Sequence, residues 1–279
     1  MGLLDVFQGS KLQSVWTYEA ENIIWRLLPT ATKLIGESRN LESKQVTFFC
    51  LNALTGKPFW QNLTFDEQWW VSIERVHQDV LFFHEFATPD LPDHKRIRAV
   101  EVETSKLLWV NDEHQFMFAK GNVGYVSKTG FENRNFYEVD LKSGVISREV
   151  TSKEIIELQN SLKEIVEATV FPKTMQNGEQ QDPVLQGSLG KSLQASIYTE
   201  FIEIGDKIIF AFYEPEQKVG EEKTLAQRLI IADKRGKLQY QETINTGVAY
   251  PMPDSFLCMG SMLYYIKNKK ILVAVDLER

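Results

Sequence analysis

Acidic residues stand at the beginning of five β-rich segments, and these positions are the first candidates for chemistry in the sequence. Three share the order acid, polar residue, apolar residue, namely Glu21-Asn22-Ile23, Glu67-Gln68-Trp69 and Asp254-Ser255-Phe256. Glu113 and Glu200 lie within a residue or two of the equivalent place. A ring of carboxylates at a concave mouth focuses a negative field and attracts a cation or a partner bearing Lys and Arg. The alternative is that these acids are ordinary residues of exposed connections.

Trp69 and Trp70 complete the predicted ligand- or partner-binding set. They open a β-rich segment, so alternation along a strand sends one ring to each side of the sheet. Packing in the core explains them well, and a stacking surface for a ligand is the alternative.

Metal-binding and catalytic motifs are weak in this sequence. The four histidines show neither the helical i,i+4 pairing nor the Cys partners of a zinc site: His77, His84, His94 and His114. Asp90, Asp93 and His94 crowd a Pro-rich loop that a cation could use, although turn chemistry also explains Pro and Asp there. The sequence contains no Gly-x-Ser-x-Gly elbow and no His-Glu-x-x-His helix. We therefore predict no metal site and no cofactor, and we assign no catalytic residue.

Composition and charge narrow the classes of partner. Lys and Arg number 31 against 38 Asp and Glu, which gives a net charge of -7 and argues against nucleic acid. The sequence has no apolar run of membrane-helix length, and Met1–Val6 lacks the features of a signal peptide. Cys50 and Cys258 each lie in an apolar run and are expected to be buried free thiols. These features predict a soluble, cytoplasmic protein without a membrane or nucleic-acid partner.

A repeated pattern must position these residues. Each copy is a β-rich run, a tight turn and a second short strand. The copies are Gln45–Leu51 with turn Thr55-Gly56-Lys57 and Trp60, Arg96–Val102 with Thr104-Ser105-Lys106 and Trp109, Asn135–Leu141 with Ser143-Gly144, and Arg228–Ala232 with Arg235-Gly236-Lys237 and Tyr240. A period of about 40 to 50 residues is typical of propeller blades or stacked units.

The fifth copy is divided between the two ends of the chain. Lys270–Leu277 reads as the first run and stops where its partner strand should begin, whereas Gly9–Trp16 matches a turn and an outer strand. We therefore expect an all-β fold, a five-bladed β-propeller of four-stranded antiparallel blades closed by pairing of the N- and C-terminal strands. As one domain over 1–279, its blades would be 18–62, 63–110, 111–150, 196–245, and 246–279 with 9–17.

Residues 151–195 are expected to be an insertion rather than a sixth blade. Thr151–Val170 has apolar residues at helical spacing and opens with a Thr151-x-x-Glu154 capping box, which predicts a helix. Phe171–Lys191 is rich in Gln, Gly, Pro and Ser and is typical of a long loop. This insertion could be a mobile lid or a helix packed on the rim.

The segment Asn52–Trp60, which reads Asn-Ala-Leu-Thr-Gly-Lys-Pro-Phe-Trp, resembles the tryptophan-docking repeat of quinoprotein-like propellers of the pyrroloquinoline-quinone type. That resemblance implies that Trp60 and Trp109 pack between blades, with Tyr240 as a substitute. The vicinal cysteine pair that marks the enzymes of this family is absent from the sequence, so the resemblance implies no quinone chemistry. The chain is also similar to uncharacterised bacterial domains with degenerate repeats of this kind.

The function predicted from these features is binding or scaffolding. A rigid ring would present its loops and an acidic channel mouth to a protein, a peptide or a cationic ligand, and a basic partner would suit the charge. The alternative is a hydrolase or lyase acting on a glycan or small polar substrate, with Glu21, Glu67 and Glu200 transferring protons. The sequence leaves the oligomeric state open.

Overall fold

Short strands rich in β-branched and aromatic residues make up most of the chain. The structure is a computed structural model, and it describes residues 12–86, 93–131, 133–162, 169–175, 196, 198–216 and 224–279. In chain order the elements are β1 (Ser14–Glu19), β2 (Ile23–Pro29), β3 (Lys33–Asn40), β4 (Gln45–Asn52), β5 (Pro58–Leu63), β6 (Val71–His77), β7 (Val80–Phe86), β8 (His94–Glu101), β9 (Leu107–Asn111), β10 (Gln115–Lys120), β11 (Val123–Thr129), β12 (Arg134–Asp140), β13 (Ile146–Val150), α1 (Ser152–Asn160), β14 (Thr169–Val170), β15 (Lys173–Thr174), β16 (Thr199–Ile204), β17 (Lys207–Pro215), β18 (Leu225–Asp233), β19 (Leu238–Val248), β20 (Phe256–Met259), β21 (Met262–Lys267) and β22 (Ile271–Asp276).

Two compact units divide these elements. The first unit comprises Met1–Glu21, Leu54–Gly56 and Ala168–Arg279. Its strands form two sheets, in the orders β1-β22-β21-β20-β14 and β15-β16-β17-β18-β19. In the first of these sheets β1 pairs antiparallel with β22, so the N-terminal strand supplies an edge of the C-terminal sheet as the sequence led us to expect. One apolar cluster containing Leu12, Ile244 and Val275 fills the core of this unit.

The second unit comprises Asn22–Ala53 and Lys57–Glu167. It contains three four-stranded antiparallel sheets with neighbouring strands in chain order, β2 to β5, β6 to β9 and β10 to β13. One apolar cluster joins the first two sheets through side chains such as Phe48 and Phe83. A second joins the middle and last sheets and includes Phe82 and Val126.

The turns of the repeat share one backbone conformation, and the outer strands of two copies dock in the same way. All four turn residues adopt a left-handed backbone with positive φ, at Gly56, Ser105, Gly144 and Gly236. The outer-strand tryptophans dock on the next sheet: Trp60 Nε1 donates to the Val102 carbonyl at 2.7 Å, and Trp109 Nε1 donates to the Leu141 carbonyl at 2.8 Å. In the third copy Arg148 takes the equivalent register position and pairs with Glu138 at 2.8 Å instead.

The three sheets of the second unit also share a bulge in their first strand. The register shifts by one residue between Ile24 and Arg26, between Ile73 and Arg75, and between Phe116 and Phe118. The extra residues are Trp25, Glu74 and Met117. A bulge turns the side chain of the extra residue away from the strict alternation of the strand. The bulges therefore determine the directions of the Trp25 and Glu74 side chains, which belong to the candidate sites described below.

The insertion differs in part from its prediction. The capping box is confirmed, because the Thr151 side chain accepts from the Glu154 N–H and the Glu154 side chain accepts from the Thr151 N–H. The helix ends at Asn160 rather than Val170, and Thr169–Val170 is a strand that pairs with β20. Lys173–Thr174, expected in a loop, pairs with β16. Two sheets expected to have four strands therefore have five, because these short segments pair with the edge strands β20 and β16.

Cys50 and Cys258 are buried and free, as expected. Within the described ranges, no helix has both the length and the apolar character needed to cross a membrane.

Candidate functional site

The predicted acids of the first unit are Glu21, Glu200 and Asp254, and the structure brings two of them together. Glu200 is buried, and its carboxylate accepts the backbone N–H groups of Asp254 at 2.7 Å and Ser255 at 3.2 Å. The Ser255 hydroxyl donates to the same carboxylate at 2.6 Å. Asp254 has a left-handed backbone, with a φ of 55°. Glu200 thus clamps the turn before β20, while the side chains of Glu21 and Asp254 are exposed.

The predicted acids of the second unit, Glu67 and Glu113, lie in different local settings. Glu67 Oε1 accepts the N–H groups of Trp69 at 2.9 Å and Trp70 at 2.8 Å. Partial burial acts to raise the pKa of the Glu67 carboxyl, but these hydrogen bonds outweigh it and lower the pKa. Glu113 is exposed and pairs with Lys128 at 2.6 Å, which lowers the pKa of Glu113. Glu67 therefore fixes the turn that presents the two tryptophans.

Three tryptophans around Arg39 form a group that we call the tryptophan surface, in which Trp25 and Trp70 are exposed and Trp69 is half-buried. Trp25, placed by the first-strand bulge, is 62% exposed, and Trp70 is 38% exposed. The Trp69 and Trp70 rings meet edge to face with centroids 6.4 Å apart. The Arg39 guanidinium lies between two members of the group, 4.7 Å from the Trp69 ring centroid and 6.0 Å from that of Trp25.

A buried ion pair supports this surface from beneath. Arg39 donates to Glu37 at 2.5 Å and to the backbone carbonyls of Trp69 at 2.8 Å and Val71 at 2.9 Å. Glu37 is fully buried, and its second oxygen accepts the Ser72 hydroxyl at 2.6 Å. These bonds link β3 to the start of β6, so the tryptophans are held on a rigid base.

A second group, which we call the His–Glu cluster, consists of Glu74, His84 and His94. These residues lie on the adjacent strands β6, β7 and β8. Glu74 Oε2 is 2.6 Å from His84 Nδ1 and 2.9 Å from His94 Nδ1. The two imidazoles stack with centroids 3.5 Å apart and an interplanar angle of 5°. His84 is 4% exposed, and its edge contact with Phe86 closes one side of the cluster.

The electrostatics of the His–Glu cluster follow from burial and from the close contacts. Burial acts to raise the pKa of the Glu74 carboxyl, but the two imidazoles outweigh it and bring the pKa to about 2. Burial lowers the pKa of His84, with Glu74 opposing that effect. Neither ring nitrogen of His84 makes an aligned hydrogen bond, and the same is true of Glu74 Oε2, although the 2.6 Å separation is short. The cluster therefore combines an anionic oxygen with a buried imidazole whose nitrogens lack aligned partners.

The opposite face of β7 carries a separate ion-pair network. Glu85, which lies between His84 and Phe86 in the strand, pairs with Arg98 at 2.8 Å and with Arg96 at 3.1 Å. Asp66 pairs with both arginines from the connection before β6. This network neutralises Glu85 and stabilises the end of the sheet on which the His–Glu cluster lies.

Sequence reasoning placed no metal site here and missed Glu74 and His84. Counting outward from the hairpin turn Gln78-Asp79 pairs His77 with Val80 and would place Glu74 opposite Phe83, on the other face of the sheet from His84. Only the bulge between Ile73 and Arg75 directs Glu74 toward His84. The sequence indicated Asp90, Asp93 and His94 as a loop that a cation could use. Of these, His94 joins the cluster, and Asp90 lies outside the described residues.

Comparisons with known proteins give a family-model match over part of the chain and distant structural likenesses. The profile described as "Domain of unknown function (DUF4905)" matches residues 29–109. No curated protein matches the chain.

Among solved structures, the uncharacterized protein lmo1340 from Listeria monocytogenes EGD-e is 10% identical, with 95% of this chain and 96% of that chain covered and a TM-score of 0.33. The Dos1 propeller is 8% identical over 91% and 68% of the two chains, with a TM-score of 0.31. The β-propeller domain of the Trilobed protease from Pyrococcus furiosus is 11% identical over 92% and 72%, with a TM-score of 0.29. At these TM-scores the likenesses carry no argument about function.

Proposed function

We propose that the chain is a non-catalytic binding or scaffolding β-propeller whose five sheets are its blades. The shared left-handed turns support this architecture, as do the docked outer-strand residues and the pairing of β1 with β22. Such a ring holds its loops on a rigid frame, which suits a protein that displays a binding face.

The observation that carries the binding role is the exposure of the tryptophan surface. An indole that is 62% exposed leaves a large apolar area in water, and exposed apolar patches mark interaction sites. Trp, Tyr and Arg are the residues most enriched among those that dominate the energy of protein interfaces. The Arg39 stack and the Glu67 turn fix the rings before a partner arrives, which lowers the entropy lost on binding.

The partner we propose is a protein or peptide with basic character. The net charge of -7 favours a basic partner through long-range attraction, and such attraction raises the association rate more than it raises affinity. In the first unit, Glu21 and Asp254 have exposed side chains suited to contact Lys or Arg. In the second unit, Glu113 is exposed but already paired with Lys128. Glu67 and Glu200 contribute to partner binding indirectly, because each carboxylate accepts backbone N–H groups and thereby fixes a turn that precedes a strand.

The hydrolase alternative gains less support from these contacts. Proton transfer to a glycosidic bond needs two carboxyl groups about 5 to 10 Å apart across a substrate site. The carboxylates of Glu67 and Glu200 are instead occupied by backbone N–H groups of neighbouring turns. We therefore retain the binding role.

A peptide-display selection tests this proposal. The wild-type chain is panned against a random peptide library, and the selected peptides are measured by fluorescence anisotropy against the double variant Trp25→Ala/Trp70→Ala. Phe131→Ala is the matched control, because Phe131 is a fully exposed aromatic residue outside the tryptophan surface. We expect peptides rich in Lys or Arg whose affinity falls at least about tenfold in the double variant and stays unchanged in the control. Failure to select any peptide, or equal binding by the double variant, would refute the assignment.

A further inference from the structure

We propose that Glu74, His84 and His94 form a binding site for a divalent transition-metal ion. This site goes beyond the proposed partner-binding role, since it uses the His–Glu cluster and none of the tryptophan surface.

The donor atoms suit such an ion in number and kind. One carboxylate oxygen and two imidazole nitrogens, one from each residue, lie within 4.8 Å of one another. Two imidazoles with a carboxylate are ligands of zinc and of iron, cobalt, nickel or copper, whereas calcium and magnesium prefer sites made of oxygen alone. The charge and softness of the cluster therefore favour a transition metal.

The distances require a small opening of the cluster. Metal–ligand bonds of about 2.0 to 2.1 Å in a tetrahedron place neighbouring ligand atoms about 3.3 Å apart. The separations from Glu74 Oε2 are 2.6 and 2.9 Å, so an ion must push the ligands slightly apart. The two stacked rings must also tilt until their nitrogen lone pairs converge. His94, whose side chain is 32% exposed at the first residue of β8, has the room to make this change.

The buried His84 ring provides a second observation. Its Nε2 is buried without a hydrogen-bond partner among the described residues, and its Nδ1 lies 2.6 Å from Glu74 Oε2 without being aligned with that oxygen. A buried polar atom without a partner is uncommon in native structures and costs free energy. Coordination through Nδ1 would replace the poorly aligned contact between His84 and Glu74 by two metal–ligand bonds.

The backbone already brings the three ligands close together without a metal. Glu74 is the bulged residue of β6, and its strand pairs with β7, which in turn pairs with β8. Sites built on paired strands keep their geometry better than sites on loops. Three protein ligands leave at least one coordination position open for water or for a ligand group.

Metal titration of the purified full chain tests the proposal. After treatment with EDTA, the chain is titrated with Co²⁺, which reports ligand geometry by visible absorption, and with Zn²⁺ by calorimetry. We expect one ion per chain, with an affinity that falls at least about tenfold in both Glu74→Gln and His94→Ala. His77→Ala is the control, because His77 lies on the same strand as Glu74 but contacts the Gly121 carbonyl at 2.8 Å and belongs to no cluster. His77→Ala should bind as the wild type does.

The two variants at the more accessible ligands decide the outcome, since replacing the buried His84 could unfold the sheet. Circular dichroism confirms that each variant is folded, and zinc should raise the Tm of the wild type but not that of His94→Ala. Absence of a stoichiometric site in the wild type, or undiminished binding by folded Glu74→Gln and His94→Ala, would overturn the proposal. Neither result bears on peptide binding, which is measured with metal-free protein.

Discussion

Replacing Arg39 by Met removes one partner of a buried ion pair while keeping most of the side-chain volume. The change deletes hydrogen bonds to Glu37 and to the carbonyl groups of Trp69 and Val71. Glu37 is fully buried and would keep the Ser72 hydroxyl and the more distant Ile73 N–H as its donors. The variant therefore leaves an uncompensated charge in the core between two sheets.

The expected loss in the free energy of unfolding is about 3 to 5 kcal/mol, the range measured when one partner of a buried pair is removed. Single charge-assisted hydrogen bonds contribute about 1.5 to 3 kcal/mol each, but three that share one side chain do not add. In Glu37→Gln/Arg39→Met the buried charge is absent. That double variant should be more stable than the sum of the single changes predicts, by about 1 to 3 kcal/mol.

Urea unfolding followed by tryptophan fluorescence and by far-UV circular dichroism measures these differences. Agreement between the two signals tests whether the transition is two-state. Arg148→Met is the control, since Arg148 also pairs with two carboxylates, those of Glu138 and Glu154, but at the surface. It should change stability far less. An Arg39→Met variant within about 1 kcal/mol of wild type, or strict additivity in the double variant, would refute the view that this pair organises the base of the tryptophan surface.

The remaining predictions concern the helix, the thiols and the N-terminal strand. Thr151→Ala should lower stability by about 1 kcal/mol through loss of the helix cap. Its partner Glu154 has a pKa of about 2 in the folded chain, below the ordinary value, so the stability that the Glu154 carboxylate contributes to the fold is complete above the ordinary pKa and is lost as the pH falls toward 2. The free energies of unfolding of wild type and Glu154→Gln, plotted against pH, should therefore converge in acid. Parallel curves would contradict this. Burial raises the pKa of both Cys50 and Cys258 to about 12. Iodoacetamide at mildly alkaline pH should therefore label neither thiol in the native chain and both thiols in urea, and labelling of the native chain would contradict the prediction. Deleting residues 1–17 removes the buried Leu12 and most of β1 and should lower the Tm markedly. Deleting residues 1–8 leaves β1 intact and should lower the Tm much less. Equal Tm values for the two deletions would refute closure of the sheet by the N-terminal strand.

The repeat could be predicted because it depends on local chemistry. A left-handed turn favours Gly, and an outer-strand aromatic residue fills the gap between sheets, so both leave marks at a regular spacing. Ser105 shows the limit of that signal, since it adopts the same left-handed backbone with a φ of 57°. The end of α1 and the short strands β14 and β15 could not be predicted, because two-residue strands are held by the edges they join rather than by their own sequence.

The candidate sites were harder to predict for a different reason. Glu67 and the two tryptophans lie next to each other in the chain, so the sequence indicated them as a group. The His–Glu cluster depends on which residue of β6 is bulged, and a shift of one position would direct Glu74 to the other face of the sheet. Hydrophobic alternation does not reveal a bulge, which is why the cluster became evident only in three dimensions.

The bulge shared by β2, β6 and β10 also bears on how such a protein can diversify. At this one place in each sheet the backbone carries Trp25, Glu74 or Met117, which are an aromatic, an acidic and a thioether side chain. The extra residue lies outside the regular pairing, so its replacement disturbs no ladder hydrogen bond. Duplicated repeats could therefore acquire different chemistries through single substitutions while their common frame stayed the same, which makes these three positions natural starting points for engineering new specificities into the scaffold.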